Sequence, residues 1–377
     1  MSIHKRDTSR GTRYDVRLRN AEGKTYNRTW RTRKEAESYE RAELTARDRG
    51  DWIDPRARLK TFSEVAGEWL KSNPAKRPAT IRIERSMLDR HVIPAIGAKR
   101  VASLTPAVMQ TLVSDLSAKL SARSVRRIHS TVRAICNYAV ATDTVARSPL
   151  RGIKLPAEVP AEVHVFTPQE LVSVAEALPA EHRPMVWLGA VLGLRWGEVA
   201  GLQMGSLDIL GRTLKVERAV VRDAKGRPVL GEPKSEAGRR TLAMPDELVE
   251  VLSAHARAIA VTAANPDALL FPGWEGGPLR YSNWLRRTWW PAMVAAGLGT
   301  LEQDETTERW HYSGPGFHDL RRTSATALVV DGVDVKTAQY RLGHSSPVLT
   351  LAVYAQAVTA AERDAADRVG ARLMSAG

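Results

Sequence analysis

A histidine and an arginine three residues apart begin a predicted helix in the C-terminal part of the chain. His318 and Arg321 follow the turn Gly314-Pro315-Gly316, and the helix is expected to run to about Asp331, where Gly332 stops it. This spacing puts both side chains on one face, at a helix end where free amides and the dipole favour an anion. Since an arginine fork can bind two phosphate oxygens, the pair predicts a phosphate ligand. A surface capping pair without function fits the same spacing.

Two further candidates follow this helix. Asp334 is the predicted cap of a helix that ends before Gly343, and His344 comes directly after it. Ser346-Pro347 opens another short predicted helix, and this helix carries Tyr354, ten residues after His344. Taken singly, His344 could be an interior histidine and Tyr354 a packed aromatic residue.

Two more candidates lie upstream. Arg195 stands in the segment Gly193-Leu194-Arg195-Trp196-Gly197-Glu198, where the carboxylate of Glu198 could support it. Lys234 follows Pro233 in a segment that ends with two adjacent arginines. Taken singly, Arg195 could be a helix-end cap and Lys234 a solvated turn residue.

In order and spacing, these residues resemble the sequence motifs of the tyrosine recombinases, the family that includes the phage integrases. The competing residues Tyr312 and Tyr340 do not fit the spacing of the family's nucleophile. The resemblance implies a site-specific DNA recombinase that integrates and excises a phage or other mobile element. Its catalytic residues would be Arg195, Lys234, His318, Arg321, His344 and Tyr354.

Cleavage of a phosphodiester explains why these residue types are needed. The phosphate is anionic and its alkoxide is a poor leaving group, so a catalyst must neutralise one end and protonate the other. Arg195 and Arg321 would clamp the nonbridging oxygens, and His344 would hydrogen-bond the phosphate. A free tyrosine has a pKa of about 10. Tyr354 therefore needs a proton acceptor, for which His318 is the candidate.

The leaving 5′ oxygen needs a proton, and the resemblance assigns its donation to Lys234. Because the phosphotyrosine ester keeps the energy of the broken bond, religation would need neither ATP nor a metal. The sequence has no P-loop, no His-Glu-x-x-His and no cluster of carboxylates suited to paired magnesium ions. We therefore expect no cofactor.

The net charge of +14 predicts a polyanionic partner, and the excess is confined to one part of the chain. Residues 1–160 contain 33 Lys and Arg against 17 Asp and Glu, whereas residues 161–377 contain 23 against 25. With DNA as the partner, the first part would supply most of the phosphate attraction and the second part the chemistry. A ribosome-associated or membrane-surface protein would also be basic.

Residues 1–55 are predicted to form an arm-type DNA-binding domain, made of a small β-sheet and one helix. Two strands are expected within residues 12–31, followed by a helix from the capping box of Thr32 and Glu35 to about Arg49. Residues 1–34 hold eleven basic and three acidic side chains, which favours DNA binding over an ordinary solvated face. The candidate contacts are Arg13, Arg17, Arg19 and Arg28.

Residues 56–160 are predicted to form a helical core-binding domain of the SAM-like type. Thr61 and Glu64 form a capping box, and apolar spacing predicts further helices at 81–92, from Thr105-Pro106 onwards and at 124–140. Cys136 falls on the apolar face of the last helix and is expected to be buried. A basic cluster there without matching carboxylates favours binding to duplex phosphates. Its candidate contacts are Arg123, Arg126 and Arg127.

Residues 161–377 are predicted to form the catalytic domain. It opens at about residue 165, with helices expected at 171–178 and around 185–192 and strands at 213–222 and 239–243. Arg239 and Arg240 are further candidate DNA contacts. The predicted fold class is therefore multidomain and mainly α, with small β-sheets.

The resemblance also implies partners. These are double-stranded DNA with core and arm attachment sites, a homotetramer on the DNA linked through the segment after Tyr354, a host DNA-bending protein and an excision directionality factor. No run of residues approaches the eighteen or so apolar residues of a membrane span, and the chain is expected in the bacterial cytoplasm with the nucleoid.

Three alternatives fit parts of the sequence. A resolvase-like recombinase of the same family would begin at the helical domain, without the first module. A DNA-binding protein or repressor that keeps the fold without cleavage would not need the six candidate catalytic residues. A metal-dependent nuclease would lose its activity in EDTA, whereas a tyrosine recombinase would not.

Overall fold

The computed structural model describes residues 2–9, 11–19, 25–49, 53–54, 56–158, 163–233, 235–305, 308–348, 350–351 and 374. The chain forms two compact units, Met1–Pro160 and Ala161–Gly377. The described part is mainly helical with small sheets, as the sequence predicts. No helix in these ranges has the length and apolar character needed to cross a membrane.

The N-terminal module is a three-stranded antiparallel sheet with one helix. The strands are β1 (Ser2–Thr8), β2 (Gly11–Arg19) and β3 (Thr25–Trp30), in the order β1-β2-β3, followed by α1 (Arg33–Asp48). The two strands predicted within residues 12–31 are confirmed as β2 and β3, whereas β1 was not predicted. Ile3 is the only apolar residue of the edge strand β1, so no alternating pattern marks it. Thr32 and Glu35 form the predicted capping box of α1.

One face of this sheet is covered by α1. Val16 and Leu18 of β2 are fully buried there together with Ala36 of α1, and Tyr39 packs against them. Since alternate strand residues point to opposite faces, the basic residues between Val16 and Leu18 and after them point away from the helix.

The remainder of the first unit is a helical bundle with its own core. Its helices are α2 (Phe62–Ser72), α3 (Pro78–Met87), α4 (Ile93–Ile96), α5 (Pro106–Ser117) and α6 (Ala122–Ala141). A π-helical turn, Leu88–Val92, joins α3 to α4. Cys136 is fully buried, as expected, and burial raises the pKa of its thiol to about 12.

The helices of the second unit surround one large apolar core. They are α7 (Pro168–Ala177), α8 (Arg183–Leu192), α9 (Trp196–Ala200), α10 (Asp246–Ala258), α11 (Tyr281–Trp284), α12 (Trp290–Ala295), α13 (Phe317–Val330) and α14 (Val335–Leu342). Trp284, Trp289 and Phe317 pack together with ring centroids 5.5–5.6 Å apart. At Gly189 of α8 an added Cβ would lie 3.0 Å from Leu320, so α13 crosses α8 closely. This packing fixes the start of α13, where His318 and Arg321 lie.

The strands of the second unit form three small antiparallel sheets. They are β4 (Leu207–Asp208), β5 (Thr213–Val216) and β8 (Arg240–Ala243), then the hairpin β6 (Ala219–Arg222) and β7 (Pro228–Gly231), and the hairpin β9 (Thr300–Gln303) and β10 (Trp310–Ser313). The single strand predicted at 213–222 is wrong, because the chain leaves one sheet after Val216 and joins another at Ala219. Residues 217–239, which include Lys234, therefore form an excursion between β5 and β8.

Candidate active site

Three arginines from distant parts of the chain meet at the C-terminal end of α14. The carbonyl groups of residues 341, 342 and 343 accept hydrogen bonds from Arg240, Arg321 and Arg195, in that order, at 2.8 Å for the first and 3.1 Å for the last. The last carbonyls of a helix carry its partial negative charge and lack partners within the helix. The helix end therefore gathers three cations in one place.

A buried carboxylate lies between two of these arginines. Glu198 accepts from Arg195 at 2.7 Å and from Arg240 at 3.1 Å, and its side chain is 4% exposed. Burial alone would raise the pKa of Glu198, but the charges of Arg240 and then Arg195 outweigh it, so the pKa is lowered. Glu198 is thus ionised at neutral pH and fixes the Arg195 side chain.

Arg321 is the most buried of the predicted catalytic residues that the structure describes. It is 3% exposed, and its second hydrogen bond, 2.6 Å long, goes to the carbonyl of Gly193. Gly193 ends α8 with a φ of +65°, and an added Cβ would lie 2.7 Å from Leu342, so no larger residue fits there. Burial, followed by the charge of Arg195, lowers the pKa of Arg321 to about 9, which still leaves it protonated at neutral pH.

His318 lies on the first turn of α13 and is partly exposed. The neighbouring Asp319 accepts from the backbone amide of Gly316 at 2.7 Å and from Arg322 at 2.8 Å, which fixes the start of the helix. Partial burial of the ring, followed by the charges of Arg321 and Arg322, lowers the pKa of His318. The imidazole is therefore neutral at neutral pH and can accept a proton.

His344 follows the left-handed residue Gly343, which has a φ of +60°. Its Nδ1 lies 2.9 Å from the hydroxyl of Thr350, which is buried. Burial and the charges of Arg321 and Arg195 lower the pKa of His344 to about 4. His344 is thus a neutral hydrogen-bonding group beside two cations.

The structure therefore brings together Arg195, Arg321 and His344, and the charges of both arginines also act on His318. Lys234 and Tyr354, the other two predicted catalytic residues, lie outside the described residues. Within the described ranges, no three His, Cys, Asp or Glu side chains are grouped as metal ligands would be.

The candidate DNA contacts of the N-terminal module lie on opposite faces of its sheet. Arg13, Arg17 and Arg19 alternate with the buried residues of β2 and face away from α1. Arg28 is opposite Val16 in the strand register, so it belongs to the helix-covered side. Its guanidinium lies 5.1 Å from the ring centroid of Tyr39, a residue of α1. The structure thus separates Arg28 from the other three candidates.

The candidate contacts on α6 are all exposed, but they differ in their partners. Arg123 pairs with Glu158 at 2.8 Å, so the prediction of a cluster without matching carboxylates is wrong for this residue. Arg126 donates to the carbonyl of Pro156 at 2.9 Å. Arg127 forms no ion pair within the described part of the chain.

The two arginines after Lys234 have different environments. Arg239 is exposed and pairs with Glu232 at 2.6 Å. The side chain of Arg240 has no exposed surface, so its prediction as a DNA contact is wrong in this structure. The period of two in β8 could have revealed this, because Arg240 and the buried Leu242 share one face of the strand. For the contact between Thr350 and His344 the sequence offers no comparable signal.

Guanidinium groups beside neutral imidazoles are suited to bind a phosphate group. Residues 165–360 match the model of the phage integrase family, and residues 62–155 match that of the phage integrase central domain. The chain therefore belongs to the phage integrase family of tyrosine-type site-specific recombinases.

Curated relatives include other integrases. The putative prophage phiRv2 integrase of Mycobacterium tuberculosis (strain H37Rv) is 29% identical over 292 residues, which cover 76% of this chain and 72% of that protein. The integrase of Mycobacterium phage L5 is 24% identical over 332 residues, covering 86% and 84%.

Solved structures with the same fold come from two mobile elements. The Tn1549 transposon integrase, in complex with transposon right end DNA, has a TM-score of 0.68 at 18% identity and covers 82% of this chain and 99% of that chain. A lambda integrase tetramer bound to a Holliday junction has a TM-score of 0.58 at 18% identity and covers 93% and 94%. At these identities the likeness extends to the fold alone.

Proposed function

We propose that this integrase exchanges strands between two DNA attachment sites through a covalent 3′-phosphotyrosine intermediate at Tyr354, and so integrates and excises a phage or other mobile element. The observation that carries the proposal is the convergence of Arg195, Arg321 and His344 at the end of α14. A phosphodiester must be bound by positive charge, while the residue that accepts the proton of the nucleophile must stay unprotonated. Cations beside neutral histidines meet both requirements.

The two arginines would clamp the nonbridging oxygens of the scissile phosphate. Arg195 donates one N–H group to Glu198 and another to the carbonyl of Gly343, yet its side chain remains 31% exposed. A guanidinium has five N–H donors, so donors remain for the phosphate. His344, which is neutral, would add a hydrogen bond to the same group.

Strand cleavage then requires two proton transfers. The phenol oxygen of Tyr354 attacks phosphorus while His318 accepts its proton, and the bond from phosphorus to the 5′ oxygen breaks. Lys234 donates a proton to this leaving oxygen. Attack by a 5′ hydroxyl of the other duplex reverses these steps and releases Tyr354. Neither step consumes ATP or requires a metal ion.

DNA is the substrate in this proposal, and the three parts of the chain divide its binding. Residues 1–55 would bind arm sites through the outer face of the sheet, where Arg17 and Arg19 form no ion pair in the described part of the chain. Residues 56–160 and 161–377 would hold the core site. The exposed arginines of α6 support a role of the bundle in phosphate contact.

The assembly in this proposal is a homotetramer on DNA. It is supported by the fold shared with lambda integrase, which forms a tetramer bound to a Holliday junction. A host DNA-bending protein and an excision directionality factor would act with it, in the cytoplasm of a bacterial host. The mycobacterial prophage and phage relatives support this setting.

A nicked suicide substrate tests the proposal directly. The purified chain should form a protein–DNA adduct that survives denaturing electrophoresis, and the Tyr354→Phe variant should form none. Tyr138→Phe is the matched control, because the Tyr138 ring packs against the core of the helical bundle in the first unit and the phenylalanine should leave adduct formation intact. If Tyr354→Phe still traps DNA covalently, the assignment of the nucleophile is wrong.

A further inference from the structure

Arg240 is a buried cation in which all three guanidinium nitrogens are engaged. Nε donates to the carbonyl of Arg341 at 2.8 Å, one terminal nitrogen donates to the carbonyl of Gly238 at 3.0 Å, and the other binds Glu198 at 3.1 Å. Its side chain has no exposed surface. Removing a charge from water is costly unless hydrogen-bond partners and an opposite charge replace the water, and here the protein supplies one acceptor for each guanidinium nitrogen.

These three acceptors belong to three different segments of the chain. Glu198 lies on α9 and holds Arg195, Gly238 closes the excursion that contains Lys234, and Arg341 lies on the last turn of α14, before His344. Four segments between residues 195 and 344 carry predicted catalytic residues. The Arg240 guanidinium therefore connects three of them, and the fourth is α13.

Two further contacts strengthen this connection. The hydroxyl of Tyr340 accepts from the amide of Thr241 at 3.3 Å and donates to its carbonyl at 3.1 Å, which ties α14 to β8 beside Arg240. At Gly343 an added Cβ would lie 2.8 Å from a terminal nitrogen of Arg240 and 2.8 Å from the carbonyl oxygen of Ala237. The end of α14 thus rests directly on Arg240 and on the turn after Lys234.

We propose that Arg240 is a positioning residue for strand cleavage, which holds Glu198, and through it Arg195, in the orientation that grips the scissile phosphate. The inference rests on the proposed function, since it assumes that Arg195 binds the phosphate. Arg240 itself does not touch DNA. It acts from beneath the phosphate site, by fixing the groups that line it.

The planar guanidinium is required for this role, and a positive charge alone is not enough. A lysine ammonium at this position is a compact charge on a flexible stem and cannot reproduce the flat fork that points at three segments. Among the charges that lower the pKa of Glu198 against the effect of burial, the charge of Arg240 has the largest effect. Without Arg240, Glu198 would keep Arg195 as its only cationic partner among the described residues.

The test compares single-turnover cleavage rates of the full chain on two suicide substrates. One has an ordinary scissile phosphate, and the other has an uncharged methylphosphonate at that position, which needs less neutralisation by Arg195. The variants are Arg195→Ala, Arg240→Met and Arg240→Lys. Arg212→Met is the matched control, because Arg212 pairs with Asp246 at the surface of the same unit, outside the site. Melting temperatures and DNA affinities are measured for each variant.

Arg240→Met should lower the rate on the ordinary phosphate by about 10²-fold, the order seen when an oxyanion donor is lost. Arg240→Lys should lower it by at least about tenfold. Both deficits should shrink severalfold on the methylphosphonate, in parallel with the deficit of Arg195→Ala, while DNA affinity changes little. A purely structural role of Arg240 would give the same deficit on both substrates.

The outcomes separate this inference from the proposed function. If the deficit of Arg195→Ala shrinks on the methylphosphonate but that of Arg240→Lys does not, Arg240 has no positioning role and the phosphate clamp stands. If the deficit of Arg195→Ala is equal on both substrates, the phosphate clamp itself is wrong. Wild-type rates for Arg240→Lys would also overturn the inference. Should Arg240→Met fail to fold, Arg240→Lys decides the question.

Discussion

The arginines on the N-terminal sheet and those at the end of α14 are the same residue type in opposite environments. Arg17 and Arg19 are exposed on an open strand face and form no ion pair in the described part of the chain. Arg240 and Arg321 are buried, and each donates to carbonyl groups from two segments. Exposed cations can attract any stretch of DNA, whereas buried cations can orient one phosphate. In the proposed function, the positive charge would therefore serve DNA affinity in the first region and the geometry of the site in the second.

The largest effect is expected at Arg321. Arg321→Ala should lower the rate of adduct formation by about 10²- to 10³-fold, since a charged donor is lost where negative charge develops. DNA affinity should change little, because the excess positive charge lies in residues 1–160. Gel-based cleavage rates and mobility shifts measure the two quantities.

Truncation of Arg321 also leaves the carbonyls of Gly193 and Leu342 without this donor, which should lower stability by about 1–3 kcal/mol for each unsatisfied group. Arg321→Lys keeps the charge and serves as the second variant. If Arg321→Ala bound DNA weakly but cleaved the bound DNA at the normal rate, Arg321 would serve DNA affinity and not the geometry of the site.

The histidines of the site predict a smaller, pH-dependent effect. His318 must be neutral to accept a proton, and its pKa lies below the ordinary value of 6.5. The single-turnover cleavage rate should therefore hold from neutral pH down past 6.5. It should fall about tenfold per unit only below the lowered pKa, as the imidazole becomes protonated. An acid limb with its midpoint above pH 6.5 would contradict the role of His318 as the base.

The N-terminal sheet predicts the smallest effect, on salt dependence. Each phosphate contact contributes about 0.9 to the slope of log affinity against log salt concentration. Arg17→Ala and Arg19→Ala should each reduce the slope for arm-site DNA by about one. Arg28→Ala is the matched control, because Arg28 lies over Trp30 and Tyr39 on the other face.

Arg28→Ala should leave the slope unchanged and lower stability by about 0.5–1 kcal/mol through loss of its cation–π contacts. Equal slopes for all three variants and the wild type would remove the sheet face from DNA binding. A reduced slope for Arg28→Ala alone would move the binding surface to the helix-covered side.

The parts of the fold that were predictable from sequence are those with local signals. The predicted capping boxes at Thr32 and Thr61 each begin a helix in the structure, because a hydroxyl and a carboxylate three residues apart suffice to form them. Strand β1 and the break after Val216 were not predicted. Both depend on pairing with a neighbouring strand, which the local sequence pattern does not reveal.

For the site, the order of the motifs indicated which residues would matter but not how they are held. Arg195 and Arg321 were predicted to bind phosphate, whereas their shared anchoring on carbonyls at the end of α14 depends on contacts across 148 and 21 residues. Arg240 was misassigned because a lysine and two arginines in one segment suggest a basic surface. Its partner Glu198 lies 42 residues away, and only the folded chain brings the two together.

Mapping of the covalent adduct tests most directly whether Tyr354 is the residue that becomes linked to DNA. The adduct from a suicide substrate, formed in the presence of EDTA, is digested with protease and nuclease, and mass spectrometry locates the nucleotide remnant. We expect a single modified peptide, with the 3′-phosphate linked to Tyr354. A remnant on any other residue, or loss of the adduct in EDTA, would contradict this expectation.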